Sequence, residues 1–270
     1  MQKWLYRFFI ELTNHRITSA ILKKFSQSRV SAILIPSYAK IYNINQAEME
    51  KNLSEFKTLH DLFVRQLKSD SRKIDQTNHT VISPVDGVIE ETGIITDSKE
   101  MIVKDKQYSM VEMLGDQESL STYIGGTYII LYLSPSHYHR IHSPISGVIT
   151  KQWELGRKSY PVNRLGLKYG RDPLSKNFRK ITEIRVSDSK VAMVKVGAMF
   201  VNSIETTHTS DTVKKGEEIA YFSFGSTVIL LFEKDSFTLS PEIGVSKNIK
   251  VGQVIGIMNE QEKRACNGSL

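Results

Sequence analysis

Large apolar residues recur at intervals of three and four along the first forty residues, with cations between them. One series covers residues 4–12, a second covers residues 17–25, and a third covers residues 30–38 around Pro36. Such spacing collects the apolar side chains on one face of a helix. No apolar run approaches the ~20 residues of a membrane span, and Arg7 interrupts the first series too early for a signal-peptide core. The pattern therefore predicts amphipathic helices here.

A further short amphipathic helix is predicted before the chain changes character. Its buried face would consist of Leu59, Leu62, Phe63 and Leu67, and Thr58 is placed to cap its first turn.

From residue 80 onward the pattern changes from helix to strand. Short runs rich in β-branched residues alternate with Gly, Pro and Asp turns, which is typical of strands. Residues 128–133 and 227–232 are continuous, mainly apolar runs, as expected of strands that are buried on both faces. We therefore predict an α+β protein, with amphipathic helices over residues 1–50 and a mostly-β core over residues 51–270.

Two pairs of short segments repeat within the predicted core. Each segment reads as a strand, a glycine turn and a second strand, and the matches are residues 83–89 with 143–149 and residues 213–220 with 249–256. Chance is the alternative for motifs this short, but a real match means an approximate internal duplication. Asp86 and Ser146 would then occupy equivalent turns, of which only one carries a carboxylate. This break in symmetry makes Asp86 a candidate for chemistry.

The net charge of +7 is concentrated in two segments. Residues 1–40 hold seven Lys and Arg against one acidic residue, residues 157–180 hold eight against one, and the rest of the chain is at −6. Basic helices with bulky apolar faces are typical of an anionic bilayer surface. We expect residues 1–50 to associate with a membrane, and packing onto the protein's own core is the alternative. No helix-turn-helix, RNP or zinc pattern is present, so no nucleic acid partner is expected.

Two sets of residues are candidates for chemistry. His137, His139 and His142 follow the apolar run that ends at Leu133. A His-x-His pair suits a metal, titration near neutral pH suits acid–base catalysis, and loop histidines also bond to backbone without any function. No convincing partner ligands occur elsewhere, so no metal is expected, and the cluster alone does not decide between the other two. The second candidate is Ser226, where a serine after glycine is either a nucleophile or part of a tight turn.

Taken together, these segments resemble prokaryotic phosphatidylserine decarboxylase, a family of self-cleaving, pyruvoyl-dependent enzymes. The resemblance covers nearly the whole chain, and its short motifs occur in the family's order and spacing. They are Phe56 to Lys68 (FKTLHDLFVRQLK), Ser83 to Gly87 (SPVDG), Tyr138 to Pro144 (YHRIHSP), Tyr160 to Asn163 (YPVN), Val196 to Ala198 (VGA), and Lys215 to Glu217 (KGE) leading into Phe224 to Thr227 (FGST). The chain departs from the family pattern at three places. Phe224 replaces the usual leucine, and Val201 to Ile204 (VNSI) replaces V-G-S-I. Asn177-Phe178-Arg179 replaces N-E-R, so the carboxylate of that motif is missing from this chain.

The resemblance implies that the chain is made as a proenzyme that cuts itself. Ser226 Oγ would attack the carbonyl carbon of Gly225, and elimination from the resulting ester would release residues 1–225 as a β chain. The dehydroalanine left at position 226 would hydrolyse to a covalent pyruvoyl group at the start of an α chain of residues 226–270. The working enzyme would then be a heterodimer of these two chains.

The resemblance also assigns three further roles. His142 would be the base for the Ser226 hydroxyl, and Asp86 would orient His142. In the second reaction the amine of phosphatidylserine would form a Schiff base with the pyruvoyl group, which takes up electrons as CO₂ leaves. His139 would protonate the resulting carbanion, and hydrolysis would release phosphatidylethanolamine.

An anionic lipid substrate would give both basic segments a role. Residues 1–50 would hold a peripheral protein on the cytoplasmic face of the cell membrane, and residues 157–180 would meet the substrate phosphate or neighbouring lipids. Two other classes of function remain open. A Ser–His–Asp hydrolase would use Ser226, His142 and Asp86 on an external ester or peptide without self-cleavage. A non-enzymatic module would only bind acidic membranes through its basic helices.

Overall fold

The structure is a computed structural model, and it describes residues 16–98, 100–104, 106–115, 117–198, 204–223 and 226–260. The helix predicted over residues 4–12 lies outside these ranges, as does the predicted cleavage residue Gly225.

Short helices form the N-terminal part of the described chain. Their bounds are α1 (Arg16–Ser26), a 3₁₀ helix (Arg29–Leu34), α2 (Ile35–Ile41), 3₁₀ turns at Gln46–Glu48 and Leu53–Glu55, and α3 (Leu59–Phe63). The helices predicted over residues 17–25 and 30–38 are confirmed, although the second is divided into a 3₁₀ and an α segment. Pro36 lies in the first turn of α2, where proline starts a helix because its missing N–H has no helical partner there. An apolar cluster that includes Ile35, Met49 and Leu62 packs these elements together. Its members come from both sides of residue 50, where the sequence analysis ends the N-terminal helical segment.

The short helix α3 begins as the sequence predicts. Thr58 Oγ1 accepts a hydrogen bond of 3.0 Å from the backbone N–H of Asp61, which caps the first turn. Leu59, Leu62 and Phe63 are buried, as predicted. Leu67 was wrongly placed in this helix, because the chain leaves helical geometry at Val64 and Leu67 instead forms a β-bridge with Met49.

Strands are the most frequent elements in the rest of the described chain. Their bounds are β1 (Thr80–Ile82), β2 (Gly87–Ile94), β3 (Glu100–Val103), β4 (Lys106–Ser109), β5 (Thr127–Leu133), β6 (Arg140–His142), β7 (Gly147–Leu155), β8 (Arg179–Val186), β9 (Ser189–Gly197), β10 (Ile204–Thr206), β11 (Thr212–Val213), β12 (Glu218–Phe222), β13 (Ser226–Phe232), β14 (Phe237–Leu239), β15 (Asn248–Ile249) and β16 (Val254–Met258). Four short helices interrupt them, α4 (Met110–Leu114), α5 (Gln117–Ser121), α6 (Arg164–Tyr169) and α7 (Pro173–Lys176). The predicted α+β class with a mostly-β core is confirmed.

The largest sheet places the strands that contain the two apolar runs, β5 and β13, next to each other near its centre. Its eight antiparallel strands run in the order β11-β7-β8-β9-β13-β5-β2-β15. Successive side chains of β13 point to opposite faces, so Val228 and Leu230 join one apolar cluster whereas Ile229 and Leu231 join another. The prediction of strands buried on both faces is therefore confirmed. Ser226, the first residue of β13, shares the face of Val228.

The predicted internal duplication appears as matched hydrogen bonds. In both repeats the first serine closes the turn through its side chain, and each repeat donates one backbone N–H to the proline carbonyl of the other. The pairs are Ser83 Oγ to Val85 O and Ser143 Oγ to Ile145 O, both 2.7 Å, and Ile82 N to Pro144 O (3.0 Å) and His142 N to Pro84 O (2.8 Å). The duplication is therefore confirmed in the hydrogen bonding and is not a chance match of letters.

Asp86 and Ser146 occupy equivalent turns, as the sequence predicts. The backbone N–H of Val251 donates to Asp86 Oδ1 at 2.9 Å, and the backbone N–H of Lys215 donates to Ser146 Oγ at the same distance. Each donor immediately precedes a glycine with positive φ, Gly252 or Gly216. The two turns thus share one geometry, and only the first carries a carboxylate.

Candidate functional site

Ser226 lies at the start of β13, hydrogen-bonded in register between two neighbouring strands. It pairs with Leu133 of β5 on one side and with Gly197 of β9 on the other, and it is fully buried. Its Oγ lies 3.4 Å from Nδ1 of His139. The structure therefore brings one predicted catalytic histidine into direct contact with the predicted nucleophile.

The surroundings of His139 select its tautomer. Nε2 lies 3.0 Å from the carbonyl oxygen of Ser134, so Nε2 carries the proton and donates it, and Nδ1 is left to accept from Ser226. The ring stacks on Phe63 of α3 with centroids 3.9 Å apart. Complete burial, reinforced by the charge of Arg65, lowers the pKa of His139 well below its usual range. A neutral imidazole that accepts a proton is the form that these contacts stabilise.

Arg65 holds the loop that carries His139. Its Nη2 donates to the carbonyl oxygens of Ser136 and His137, at 2.8 and 2.9 Å, and burial lowers the pKa of Arg65. This role was missed at the sequence level, although Arg65 lies inside the first family-like motif. A cation among buried apolar residues was the signal that could have found it, because buried cations require specific partners.

His142 lies at the end of β6 and hydrogen-bonds away from Ser226. Its Nδ1 lies 2.8 Å from the carbonyl oxygen of Gly216, so Nδ1 donates there and Nε2 is free to accept from the hydroxyl of Tyr138 at 3.3 Å. Burial lowers the pKa of His142, and the nearby charges of Glu218 and Asp86 oppose that shift. His142 is therefore a second neutral imidazole with an accepting Nε2.

Asp86 is bound by a cation that the sequence analysis did not single out. Arg72 Nε donates to Asp86 Oδ1 at 2.9 Å, and Arg72 Nη2 donates to Asp86 Oδ2. The same Nη2 also donates to Glu48 Oε2 at 2.8 Å. Within the described part of the chain, no hydrogen bond joins Asp86 to His142 or His142 to Ser226.

An open cavity of about 220 Å³ lies beside these groups, and its lining includes Arg72, Tyr138, His142 and Gly216. Among the residues that the structure describes, no cluster of three or more His, Cys, Asp or Glu side chains is arranged to hold a metal ion. The site as described therefore offers imidazoles, a carboxylate and a hydroxyl for proton-transfer and nucleophilic chemistry.

Asn177 connects the family-like segment at residues 160–163 to the strand beside Ser226. Its buried side chain accepts from the backbone N–H of Tyr160 and donates to the carbonyl oxygens of Tyr160 and Gly197, all at 2.8 Å. Gly197 in turn pairs with Ser226. Asn177, from the motif in which this chain differs from the family pattern, therefore links residues 160–163 to the strand beside Ser226.

The basic segment at residues 157–180 is not a uniform surface patch. Arg179 is buried and donates to the carbonyl oxygens of Met113, Asn177 and Glu112, and burial lowers its pKa to about 10. Lys176 forms an ion pair with Glu112, at 2.8 Å. The exposed cations of the segment include Arg157, Lys158, Lys168 and Arg171.

Comparison with known proteins places this arrangement in a family context. The sequence model of the family described as "Phosphatidylserine decarboxylase" matches residues 59–257. A protein of Geobacillus sp. (strain WCH70) named "Phosphatidylserine decarboxylase proenzyme" is 62% identical over 258 residues, which is 96% of this chain and 100% of that protein. Proteins of the same name from Geobacillus kaustophilus (strain HTA426) and Anoxybacillus flavithermus (strain DSM 21510 / WK1) are 62% and 63% identical, over 98% and 97% of this chain and 100% and 99% of their own lengths.

Proposed function

We propose that this chain, which belongs to the phosphatidylserine decarboxylase family, removes the carboxyl group of phosphatidylserine to give phosphatidylethanolamine after cutting itself at Gly225-Ser226. The observation that carries the proposal is the contact of 3.4 Å between the buried Ser226 hydroxyl and the accepting Nδ1 of His139. A buried hydroxyl that hydrogen-bonds to an imidazole supports a nucleophile at position 226.

The first reaction is an intramolecular acyl shift followed by elimination. Ser226 Oγ loses its proton and bonds to the Gly225 carbonyl carbon, and the C–N bond breaks, so that an ester replaces the peptide bond. Loss of the Ser226 α-proton then forms a Cα=Cβ double bond and breaks the Cβ–Oγ bond, which releases residues 1–225 with a new carboxylate. Water adds to the dehydroalanine at position 226, ammonia leaves, and a pyruvoyl group remains.

Position 226 fits a pyruvoyl group, which is no larger than the serine it replaces. The site is buried, and the His139 ring already touches the side chain there. When formed, the group supplies a ketone that takes up the electron pair of the breaking carbon–carboxylate bond. The chain's own residues must bind and orient the substrate and deliver the proton that replaces CO₂.

The proposed roles divide the two histidines between the two reactions. His142, with Asp86 as its orienting carboxylate, takes the Ser226 proton, and for this its accepting Nε2 must exchange the Tyr138 hydroxyl for that of Ser226. His139 delivers the proton in decarboxylation: its Nδ1, which faces position 226, first takes a proton from solvent and then passes it to the substrate carbanion. Because His139 contacts Ser226, it could instead be the base in the first reaction. A His139→Gln variant separates these two roles, since only loss of the base would prevent cleavage.

The two chains would remain together after cleavage as a heterodimer. The described part of residues 226–270 supplies β13 to β16, and β13 hydrogen-bonds along its length to β5 and β9 of the larger chain. Cutting one end of β13 leaves these ladders and the buried apolar side chains intact.

Intact mass under denaturing conditions tests the proposed function. We expect two species, residues 1–225 and residues 226–270, and the smaller one should lack a free amino terminus and gain two hydrogens on borohydride reduction. A single full-length chain that still released CO₂ from phosphatidylserine would exclude the mechanism. A single chain that hydrolysed esters instead would favour a Ser–His–Asp hydrolase.

We also propose that the N-terminal helices hold the protein peripherally on the cytoplasmic face of the cell membrane. Eight of the fourteen large apolar side chains that are exposed among the described residues lie between Ile21 and Tyr42. Lys23, Lys24 and Arg29 lie in the same stretch, which suits an anionic surface. None of the helices in the described ranges is long and apolar enough to cross a membrane.

Removing apolar side chains from this surface should weaken membrane binding. Ile33 and Ile41 are 79% and 74% exposed, so replacing both with serine removes no core packing. At roughly 1 kcal/mol for each side chain, the double variant should partition about 30-fold more weakly onto vesicles of phosphatidylglycerol and phosphatidylethanolamine. Sedimentation with vesicles measures this.

The matched control is Ile102→Ser, which removes a half-exposed isoleucine from the surface of β3, outside the N-terminal helices. It should bind vesicles as the parent does. Equal loss of binding in both variants, or in neither, would contradict a membrane surface at residues 21–42.

A further inference from the structure

The chain between the helices and the core crosses both glycine turns of the internal duplication. A Cβ built on Gly216 would lie 2.6 Å from Ile74 Cγ2, and one built on Gly252 would lie 2.3 Å from the carbonyl oxygen of Lys73. Asp75 N also donates to the carbonyl oxygen of Gly252, at 3.3 Å. We call residues 68–75 the strap. It lies directly against two turns that are otherwise related by the repeat.

The strap gives the two equivalent turns different electrostatic environments. At the first turn Arg72 reaches the Asp86 carboxylate with two donors, Nε and Nη2. At the second turn the equivalent residue is Ser146, whose Oγ accepts from the backbone N–H of Lys215. The asymmetry that singles out Asp86 therefore has two parts, its carboxylate and the guanidinium that the strap brings to it.

Arg72 is itself held from the other side. Its Nη2 donates to Glu48 Oε2 at 2.8 Å, and its Nη1 donates to the carbonyl oxygen of Ser71 at 2.6 Å. Lys250 forms an ion pair with the other oxygen of Glu48, at 2.8 Å. The Arg72 and Asp86 side chains are both largely buried. A planar guanidinium in such a frame fixes both the position and the rotation of a carboxylate.

We propose that Arg72 is the positioning residue of the self-cleavage site, anchored by Glu48, and that it holds the Asp86 carboxylate at the place from which its negative charge acts on His142 without a direct hydrogen bond. This rests on the proposed function, because it takes Asp86 to serve the cleavage at Ser226. Val251 N donates only to Oδ1 of Asp86, whereas Arg72 donates to both oxygens, so loss of Arg72 leaves a single hydrogen bond about which the carboxylate can rotate. Arg72 does not touch the reacting atoms.

Arg72→Ala tests the proposal through the rate of cleavage of newly made chain, followed by intact mass. We expect cleavage to slow roughly 10- to 100-fold, since misplacing a catalytic group by about 1 Å can cost on the order of 100-fold. Guanidinium chloride at millimolar, non-denaturing concentration should restore much of the rate, whereas sodium chloride at equal ionic strength should not. The cavity beside Arg72 and His142 gives the small cation access. A merely structural role would not produce this chemical rescue.

Two variants complete the test. Lys73→Ala removes an exposed cation from the same strap, next to Arg72, and should cleave at the parent rate. Arg72→Lys keeps the charge but loses the two-donor geometry, and should cleave about tenfold more slowly. If Arg72→Ala does not fold, Arg72→Lys decides, and parental cleavage by a folded Arg72→Lys would overturn the proposal.

Cleavage of the unsubstituted parent chain distinguishes failure of the Arg72 proposal from failure of the proposed function on which it rests. If the parent does not cut itself at Gly225-Ser226, the proposed function fails whatever Arg72 does. If the parent cuts itself and a folded Arg72→Ala cuts equally fast, only the positioning role is lost.

Discussion

Replacing Ser226 with alanine should leave one uncut chain of 270 residues and no release of CO₂ from phosphatidylserine above the uncatalysed background. In the proposed mechanism, the oxygen that attacks Gly225 and the atoms that become the pyruvoyl group all belong to Ser226, so this one substitution should abolish both reactions. The fold should survive. The lost hydrogen bond to His139 is long, at 3.4 Å, and a buried hydrogen bond contributes about 1 kcal/mol to the free energy of unfolding. Intact mass, CO₂ release and thermal unfolding measure the three outcomes.

The adjacent hydroxyl provides a matched control. Thr227 points to the opposite face of β13, and in the described part of the chain its buried Oγ1 has no hydrogen-bond partner. Thr227→Val therefore removes a buried hydroxyl without removing a bond, and should cleave and decarboxylate as the parent does while unfolding at an equal or higher temperature. Cleavage at the parental position by Ser226→Ala, or loss of cleavage in Thr227→Val equal to that in Ser226→Ala, would remove Ser226 from its assigned role.

Much of the frame around Ser226 could be predicted because it rests on local patterns. The apolar runs that became β5 and β13 are long enough to require burial on both faces, which only a central position in a sheet supplies. The repeated SPxxG turns could be matched by eye because each is closed by its own serine, two residues apart in sequence. Hydrogen bonds between residues so close in the chain can be predicted from the amino-acid sequence.

The contacts between distant segments could not be predicted in the same way. Arg72 is 14 residues from Asp86, and nothing in the pattern of residues 68–75 indicates that this strap crosses both glycine turns. His139 and Ser226 are 87 residues apart, and their contact depends on where the loop after β5 folds back. Arg179 looked like one cation of a surface patch because charge density does not distinguish an exposed arginine from one that binds three buried carbonyl groups.

The second large effect is expected from His139→Gln. The rate of decarboxylation, divided by the amount of pyruvoyl-bearing small chain, should fall about 10²- to 10⁴-fold, the usual contribution of a positioned acid or base. Glutamine retains an N–H for the Ser134 carbonyl oxygen but has no group that can carry a proton to the substrate carbanion. Dividing by the amount of small chain removes any change in cleavage rate from the comparison. Mass spectrometry of residues 226–270 gives that amount.

His79→Asn is the control for loss of a histidine. His79 is an exposed residue with φ of +64°, a left-handed conformation that asparagine tolerates, so the substitution should change neither reaction. Parental turnover per small chain in His139→Gln would contradict a role for His139 in decarboxylation. Complete failure of His139→Gln to cleave, in a folded chain, would instead make His139 the base for Ser226. The contact of 3.4 Å would then serve the first reaction. His142, Asp86 and Arg72 would in that case affect Ser226 only indirectly, by stabilising the structure around it.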